Sequence, residues 1–136
     1  MGRILALDFG EKRTGVAVTD PLKIIASGLT TVATKSLIDF LKNYLNSEEV
    51  DLFVIGEPKQ MNNSPSESEV YIQPFLKQLT KTFPQIPIER VDERFTSKIA
   101  FQTMIDTGIS RKKRQNKSLI DQISATIILQ SYLDRK

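Results

Sequence analysis

The chain contains no cysteine and no histidine. Without cysteine, disulfides, thiolate metal sites and cysteine nucleophiles are excluded. Without histidine, the usual general base and a common zinc ligand are missing too. An enzyme of this composition must work through carboxylates, either as an acid/base pair or as oxygen ligands of a hard cation such as Mg²⁺, or else through Lys, Ser or Tyr.

Long apolar runs are missing as well. The longest mostly apolar stretch, Ile123 to Leu129, contains Ser124 and Thr126 and is far shorter than the ~20 residues that span a bilayer. Met1 to Arg3 leads directly into a strand-like run, with no segment typical of a signal peptide. With 136 residues, 40% of them hydrophobic, the sequence predicts one soluble, cytoplasmic globular domain over residues 1–136, with no membrane partner.

Positive charge is concentrated near the end of the chain. Residues 1–100 hold 12 basic and 13 acidic residues, a net charge of −1, whereas residues 101–136 hold 7 and 3, a net charge of +4. The basic run consists of Arg111, Lys112, Lys113, Arg114 and Lys117. Such density is typical of contact with a phosphate backbone, although a solvated basic loop would look the same.

Five apolar runs predict strands. The first two form a hairpin around a turn-prone segment, and a third strand follows the turn at Asp20-Pro21. The last two are separated by helical patterns, so they should lie parallel to the first strand. The sequence therefore predicts an α/β fold with a five-stranded mixed sheet, three antiparallel-connected strands followed by two parallel ones, flanked by helices. The runs are Ile4–Leu7, Gly15–Thr19, Ile24–Val32, Leu52–Gly56 and Pro87–Val91.

Four helices are predicted from apolar spacing and capping signals. The first begins at a capping-box variant, Ser36 with Asp39, and the last, about Leu119 to Leu133, begins at a second one, Ser118 with Asp121. A third helix runs from Thr96 to about Asp106. The second helix has Pro74 inside its pattern, and its core stripe is Ile72, Phe75, Leu76, Leu79 and Phe83.

Carboxylates follow three of the predicted parallel strands. Asp8 ends the first strand, Glu57 the fourth, and Asp92 and Glu93 the fifth. Ligands of such sheets bind beyond the carboxyl ends of the strands, so these acids should share one edge, with Asp121 at the start of the last helix as a further member. Carboxylates placed in this way could hold two cations for phosphodiester hydrolysis.

Each of these acids also has an ordinary explanation. Asp8 could be a turn acid, Asp92 and Glu93 could form surface ion pairs, and Asp121 could be a capping-box residue. Their common location beside a basic run favours a single site.

Four segments of the sequence carry a family resemblance. ILALDFGEKRTGVAVTD at 4–20, VIGEPKQMN at 54–62, VDERFTS at 91–97 and KSLIDQISATIILQSYLD at 117–134 resemble, in order and spacing, the YqgF family of bacterial proteins. That family is similar to Holliday junction resolvases and is also described as nucleases of pre-16S ribosomal RNA. The match covers nearly the whole chain.

The resemblance implies an RNase H-like fold and a nuclease that trims the 5′ end of the 16S ribosomal RNA precursor with Mg²⁺ or Mn²⁺, in a two-metal arrangement. It assigns the catalytic, metal-binding acids to Asp8, Glu93 and Asp121. One departure is Glu57, where the family usually has Leu between Gly and Pro; whether Glu57 or Asp92 is a ligand stays open. The residues expected on substrate phosphates are Lys12, Arg13, Arg94, Arg111, Lys112, Lys113, Arg114 and Lys117.

Other functions remain alternatives on the sequence. The protein could resolve Holliday junctions in branched DNA, or it could be an RNA-binding ribosome-assembly factor that does not cleave. A nucleotide binder of the actin type, which shares an Asp-x-Gly after the first strand, is disfavoured because such proteins have two lobes. Ribosomal particles are candidate partners, and both a monomer and a homodimer are compatible with the sequence.

Overall fold

The computed structural model describes residues 2–57, 69–92 and 117–134. A short 3₁₀ helix, Thr34–Ser36, precedes the first α-helix. The strands are β1 (Arg3–Asp8), β2 (Arg13–Thr19), β3 (Ala26–Ala33), β4 (Val50–Glu57) and β5 (Ile88–Asp92). The helices are α1 (Leu37–Ser47), α2 (Glu69–Thr82) and α3 (Lys117–Asp134).

The five strands form one sheet in the order β3-β2-β1-β4-β5. The pairs β1–β2 and β2–β3 are antiparallel, whereas β1–β4 and β4–β5 are parallel. The predicted fold class is confirmed. The hairpin gives the antiparallel half, and the crossovers through α1 and α2 return the chain to start β4 and β5 in the direction of β1.

Helices cover both faces of the sheet. Because successive side chains of a strand point to opposite faces, the hydrophobic core is divided into one cluster on each face. On one face Leu5 and Leu7 of β1 pack in a cluster with residues of α1 and α2. On the other face Ile4 and Ala6 pack with residues of α3. The predicted stripe of α2 is confirmed: Ile72, Phe75 and Leu79 are buried, and Leu76 and Phe83 pack against the first cluster.

Both helix starts differ from the prediction. Ser36 makes no capping hydrogen bond through its side chain. It ends the 3₁₀ turn with φ −104° and ψ 5°, not in the extended conformation that turns an N-cap hydroxyl toward the helix, so the first predicted capping box is wrong. Helix α3 begins at Lys117, which places Ser118 inside the helix and Asp121 beyond its first turn.

The predicted helix at 96–106 lies outside the described residues. Among the helices described, none is long and apolar enough to cross a membrane.

Candidate active site

Asp8 is the last residue of β1 and lies opposite Gly15 of β2. Strand alternation puts Asp8 on the same face as Ile4 and Ala6, the face that α3 covers. The prediction that Asp8 ends the first strand is therefore confirmed, and the structure adds that this strand is central in the sheet and that α3 lies over it.

Gly15 is the point at which α3 comes closest to this end of the sheet. A Cβ atom at Gly15 would overlap the backbone carbonyl oxygen and carbon of Asp121. Directly paired residues in antiparallel strands lie about 5 Å apart. Because Asp8 is paired with Gly15, and Gly15 lies against the backbone of Asp121, the backbones of the two predicted catalytic acids lie at the same end of the sheet.

Asp121 is engaged by a basic residue of β2. Arg13 donates from Nε to Oδ2 of Asp121 over 2.8 Å. The side chain of Arg13 is 41% exposed and that of Asp121 is 21% exposed. Arg13 lies on the same face of β2 as Gly15, two residues away, and this alternation directs it to α3. The sequence predicts that Arg13 contacts a substrate phosphate. In the structure its side chain contacts Asp121, which is a predicted metal ligand.

The turn between β1 and β2 is fixed by Thr34. Its hydroxyl donates to the carbonyl oxygen of Gly10 over 2.6 Å, and its backbone N–H donates to the carbonyl oxygen of Lys12 over 3.0 Å. The Thr34 hydroxyl also lies 2.9 Å from that of buried Thr14, which must be the donor because Thr34 has already given its proton. Lys12 is exposed on a turn with defined geometry.

Glu57 and Asp92 are paired at the ends of β4 and β5. Glu57 follows Phe53 and Ile55, which pack against α1 and α2, so alternation places it on the opposite face from Asp8. Strand β4 therefore does not direct Glu57 toward Asp121. The Arg90 side chain holds this end of β4 by donating to the carbonyl oxygens of Ile55 (3.3 Å) and Gly56 (3.0 Å).

The carboxylates of Asp8 and Asp121 are hard oxygen donors of the kind that Mg²⁺ and Mn²⁺ prefer. Within residues 2–57, 69–92 and 117–134, no three acidic side chains form a metal-binding group. The third predicted ligand, Glu93, lies outside those ranges. The donor chemistry of the two described acids fits a divalent cation, and a complete site needs at least one further ligand.

Most of the predicted basic contacts also lie outside the described part of the chain. Lys117 begins α3, but its side chain is not described. The residues outside the description are Arg94, Arg111, Lys112, Lys113 and Arg114.

A surface depression of about 600 Å³ lies elsewhere, lined by residues 45–51 with Gln85 and Ile86. It is at the start of β4, whereas Asp8 is at the end of the neighbouring strand β1. The depression therefore lies at the other end of the sheet, and neither Asp8 nor Asp121 lines it.

Sequence reasoning did not identify Gly15 and Thr34 as residues that build the site. A glycine inside a strand is a known sign of close backbone approach, so Gly15 carried a usable signal. Thr34 carried none, because its role depends on the return of β3 to the β1–β2 turn.

Comparison with known proteins gives consistent matches over the whole chain. The model of the family RuvX, described as Holliday junction resolvase, matches residues 2–135. A relative from Christiangramia forsetii is 64% identical over 133 residues, covering 98% of each chain. Relatives from Flavobacterium johnsoniae and Porphyromonas gingivalis are 61% and 59% identical, covering 100% and 98% of this chain and 99% and 97% of their own. All three carry the name "Putative pre-16S rRNA nuclease".

Proposed function

The chain belongs to the RuvX family, and from that premise we propose that it is a metal-dependent nuclease that processes the 5′ end of the 16S ribosomal RNA precursor. Its relatives carry a nuclease name at 55–64% identity. We further propose that residues 1–136 act as one RNase H-like domain in the bacterial cytoplasm, on precursor RNA within or before assembly of the ribosomal particle.

The observation that carries this proposal is the convergence of Asp8 and Asp121 at Gly15. The backbones of two acidic residues more than a hundred positions apart come together on the face covered by α3. This arrangement is what oxygen coordination of a divalent cation at a phosphodiester requires.

In this proposal Asp8, Asp121 and Glu93 hold Mg²⁺ or Mn²⁺. Such a cation, when bound, lowers the pKa of a coordinated water and offsets the negative charge of the phosphate under attack. The chain itself places the acids: β1 holds Asp8 within the sheet, and the contact of α3 with Gly15 holds the backbone of Asp121.

The basic residues bind the nucleic acid. Lys12 and Arg13 lie on or next to the β1–β2 turn, close to Asp8 along the chain, and Arg94 with the run at 111–117 extends the contact. Cations that neutralise phosphates release condensed counterions, so RNA affinity should fall steeply with salt concentration.

The test compares the wild type with Asp8→Asn on two labelled substrates, a fragment containing the 5′ end of the 16S precursor and a four-way DNA junction. Each is incubated with Mg²⁺, with Mn²⁺ and with a chelator. The matched control is Asp39→Asn, which removes an exposed acid of α1 in the same way. Thermal unfolding of both variants checks that the fold is kept.

Cleavage of the RNA that needs both a divalent cation and Asp8, and that survives Asp39→Asn, supports the proposal. Cleavage that is equally strong in Asp8→Asn contradicts the assigned site. Tight, salt-dependent RNA binding without cleavage under every condition would instead identify a ribosome-assembly factor.

The description of the matching family model favours a second candidate, resolution of branched DNA. Selective cleavage of the four-way junction would identify this activity. Because that substrate is two-fold symmetric, junction cleavage would also require a homodimer, whereas RNA trimming is compatible with a monomer.

A further inference from the structure

The ion pair between Arg13 and Asp121 joins two residues to which the proposed function gives different partners. Arg13 Nε lies 2.8 Å from Oδ2 of Asp121, and the arginine is the more exposed of the two, at 41% against 21%. In the structure the carboxylate is therefore already neutralised by a cation from the protein itself, supplied from the turn that is proposed to bind phosphate.

A divalent cation and a guanidinium compete for this carboxylate. Both are attracted by the negative charge of Asp121, and they repel each other when both are bound to it. A substrate phosphate is the other anion that a guanidinium binds well, because its fork of N–H donors matches the phosphate oxygens. The binding of a divalent cation to Asp121 and the binding of a substrate phosphate to the protein are therefore thermodynamically linked through Arg13.

The backbone allows Arg13 to change partner without a change of fold. Arg13 is paired with Ala33 of β3, and the adjoining turn is pinned by Thr34 to Gly10 and Lys12. Asp121 is fixed from the other side, where α3 lies against Gly15. Only the side chain of Arg13, already partly exposed, needs to move.

We propose that Arg13 is the counter-ion of Asp121 in the substrate-free protein and passes to a substrate phosphate when a divalent cation binds Asp121, so that cation and nucleic acid each strengthen the binding of the other. This rests on the proposed function, since it takes Asp121 as a cation ligand. Linkage makes the effect reciprocal: the factor by which the cation raises RNA affinity equals the factor by which RNA raises cation affinity.

The first measurement is the affinity of the free protein for Mn²⁺, by titration calorimetry and by electron paramagnetic resonance of unbound Mn²⁺, at constant ionic strength. Wild type is compared with Arg13→Gln and with Arg13→Lys, which keeps the charge but lacks Nε. Lys12→Gln controls for the loss of one positive charge at the same turn. Within the described residues Lys12 contacts Thr34 through its backbone carbonyl, so the substitution keeps this hydrogen bond. Asp8→Asn and Asp121→Asn show which part of the binding belongs to the site.

We expect Arg13→Gln to bind Mn²⁺ about fivefold or more tightly than the wild type, a typical coupling between linked sites. Lys12→Gln should change the affinity much less, and Arg13→Lys should fall between wild type and Arg13→Gln. Asp121→Asn should weaken binding in both the wild-type and the Arg13→Gln background.

The second measurement is the affinity for the fluorescent 16S precursor fragment with chelator and with Ca²⁺, a cation for which the same oxygen ligands are suitable. In the wild type Ca²⁺ should strengthen RNA binding severalfold, and Lys12→Gln, which keeps Arg13, should show a gain of similar size although its RNA affinity is lower throughout. In Arg13→Gln this gain should be several times smaller, because only the direct attraction between the cation and the phosphate is left; an equal gain in Arg13→Gln would overturn the inference.

The outcomes separate the inference from the proposed function. Mn²⁺ binding that depends on Asp8 and Asp121 but is unchanged or weaker in Arg13→Gln overturns the inference alone, and would show that Arg13 positions Asp121 instead of competing for it. Mn²⁺ binding that is indifferent to Asp8 and Asp121 overturns both.

Discussion

Gly15 of β2 lies so close to the backbone carbonyl of Asp121 in α3 that no side chain fits between them. The contact lies directly across the β1–β2 ladder from Asp8. One residue without a side chain therefore sets the spacing between the strand that carries one candidate catalytic acid and the helix that carries the other. The geometry of the site depends on this contact as well as on the acids themselves.

We predict that Gly15→Ala destabilises the protein and reduces its nuclease activity. The added Cβ meets backbone atoms of α3, which cannot rotate away as a side chain could, so the helix has to move off the sheet. Such overpacking lowers the free energy of unfolding by about 1–3 kcal/mol. Urea denaturation measures this loss, and cleavage of the precursor fragment under conditions where the variant is folded measures the displacement of Asp121.

Gly28→Ala is the matched control. A Cβ at Gly28 would lie 3.2 Å from the hydroxyl of Thr126, a side-chain atom of the same helix that donates to the carbonyl oxygen of Gln122 and would have to give by only a few tenths of an ångström. Its effect on stability should stay below about 1 kcal/mol, in the range of mild substitutions. Equal losses of unfolding free energy for Gly15→Ala and Gly28→Ala would contradict the close approach at Gly15.

We predict that Thr34→Val loosens the β1–β2 turn. The change removes the hydroxyl that donates to Gly10 and accepts from Thr14, while the shape of the side chain is kept. Since buried Thr14 then loses its partner, the free energy of unfolding should fall by about 1–3 kcal/mol. Because the same turn carries Lys12, RNA affinity at fixed salt should fall too, as measured by fluorescence anisotropy.

Thr34→Ser separates the hydrogen bonds from the methyl group. It keeps the hydroxyl and loses one methyl, so it should retain most of the RNA affinity. If Thr34→Ser weakens RNA binding as much as Thr34→Val, packing and not hydrogen bonding holds the turn.

The sheet could be predicted from the sequence because its signals are local. Apolar runs such as Leu52–Gly56 identify the strands, and the helical patterns between them set which strands are parallel. Strand bounds shifted by at most two residues; β4, for example, extends to Val50 and Glu57. The acids at strand ends could be found in the same way, since the carboxyl ends of parallel strands share one edge.

Contacts between distant segments could not be predicted. Arg13 and Asp121 are 108 positions apart, and no spacing rule relates a strand residue to a particular helix turn at that distance. The capping box at Ser36 failed for a related reason: residues 34–36 form a 3₁₀ turn whose first residue, Thr34, is bonded to the β1–β2 turn, so tertiary contacts decide the start of α1.

We predict that Ser124→Ala stabilises the protein. Ser124 is 1% exposed in α3, and its hydroxyl has no hydrogen-bond partner among the described residues. Burying an unpaired hydroxyl carries a desolvation penalty, and alanine also has a higher helix propensity. The free energy of unfolding should rise by about 0.5–1 kcal/mol, on the low side of the cost of an unsatisfied buried group. If urea denaturation instead gives a lower free energy of unfolding for Ser124→Ala than for the wild type, the hydroxyl has a partner.

The turn between β2 and β3 should lose stability in acid because of Asp20. Its carboxylate accepts the backbone N–H groups of Ile25 and Ile24, both at 2.8 Å, and of Leu22 at 3.1 Å. These bonds, that from Ile25 first, hold the pKa of Asp20 below its ordinary value. In the unfolded chain the carboxyl has the ordinary pKa of about 3.9 and so takes up its proton at a higher pH than in the folded protein.

The stabilisation by Asp20 is therefore fully present above about pH 5 and disappears as the pH falls through the lowered pKa. Side-chain carboxyl chemical shifts followed by NMR should show Asp20 titrating below the range of free aspartate. The unfolding free energy of Asp20→Asn should fall less steeply than that of the wild type below about pH 4, because the variant has no carboxyl to protonate. Asp51 also has a lowered pKa, chiefly through its bond with Lys23, but it is present in both proteins and cancels in the difference. Parallel pH profiles for the two proteins would show that the turn does not depend on the ionised form of Asp20.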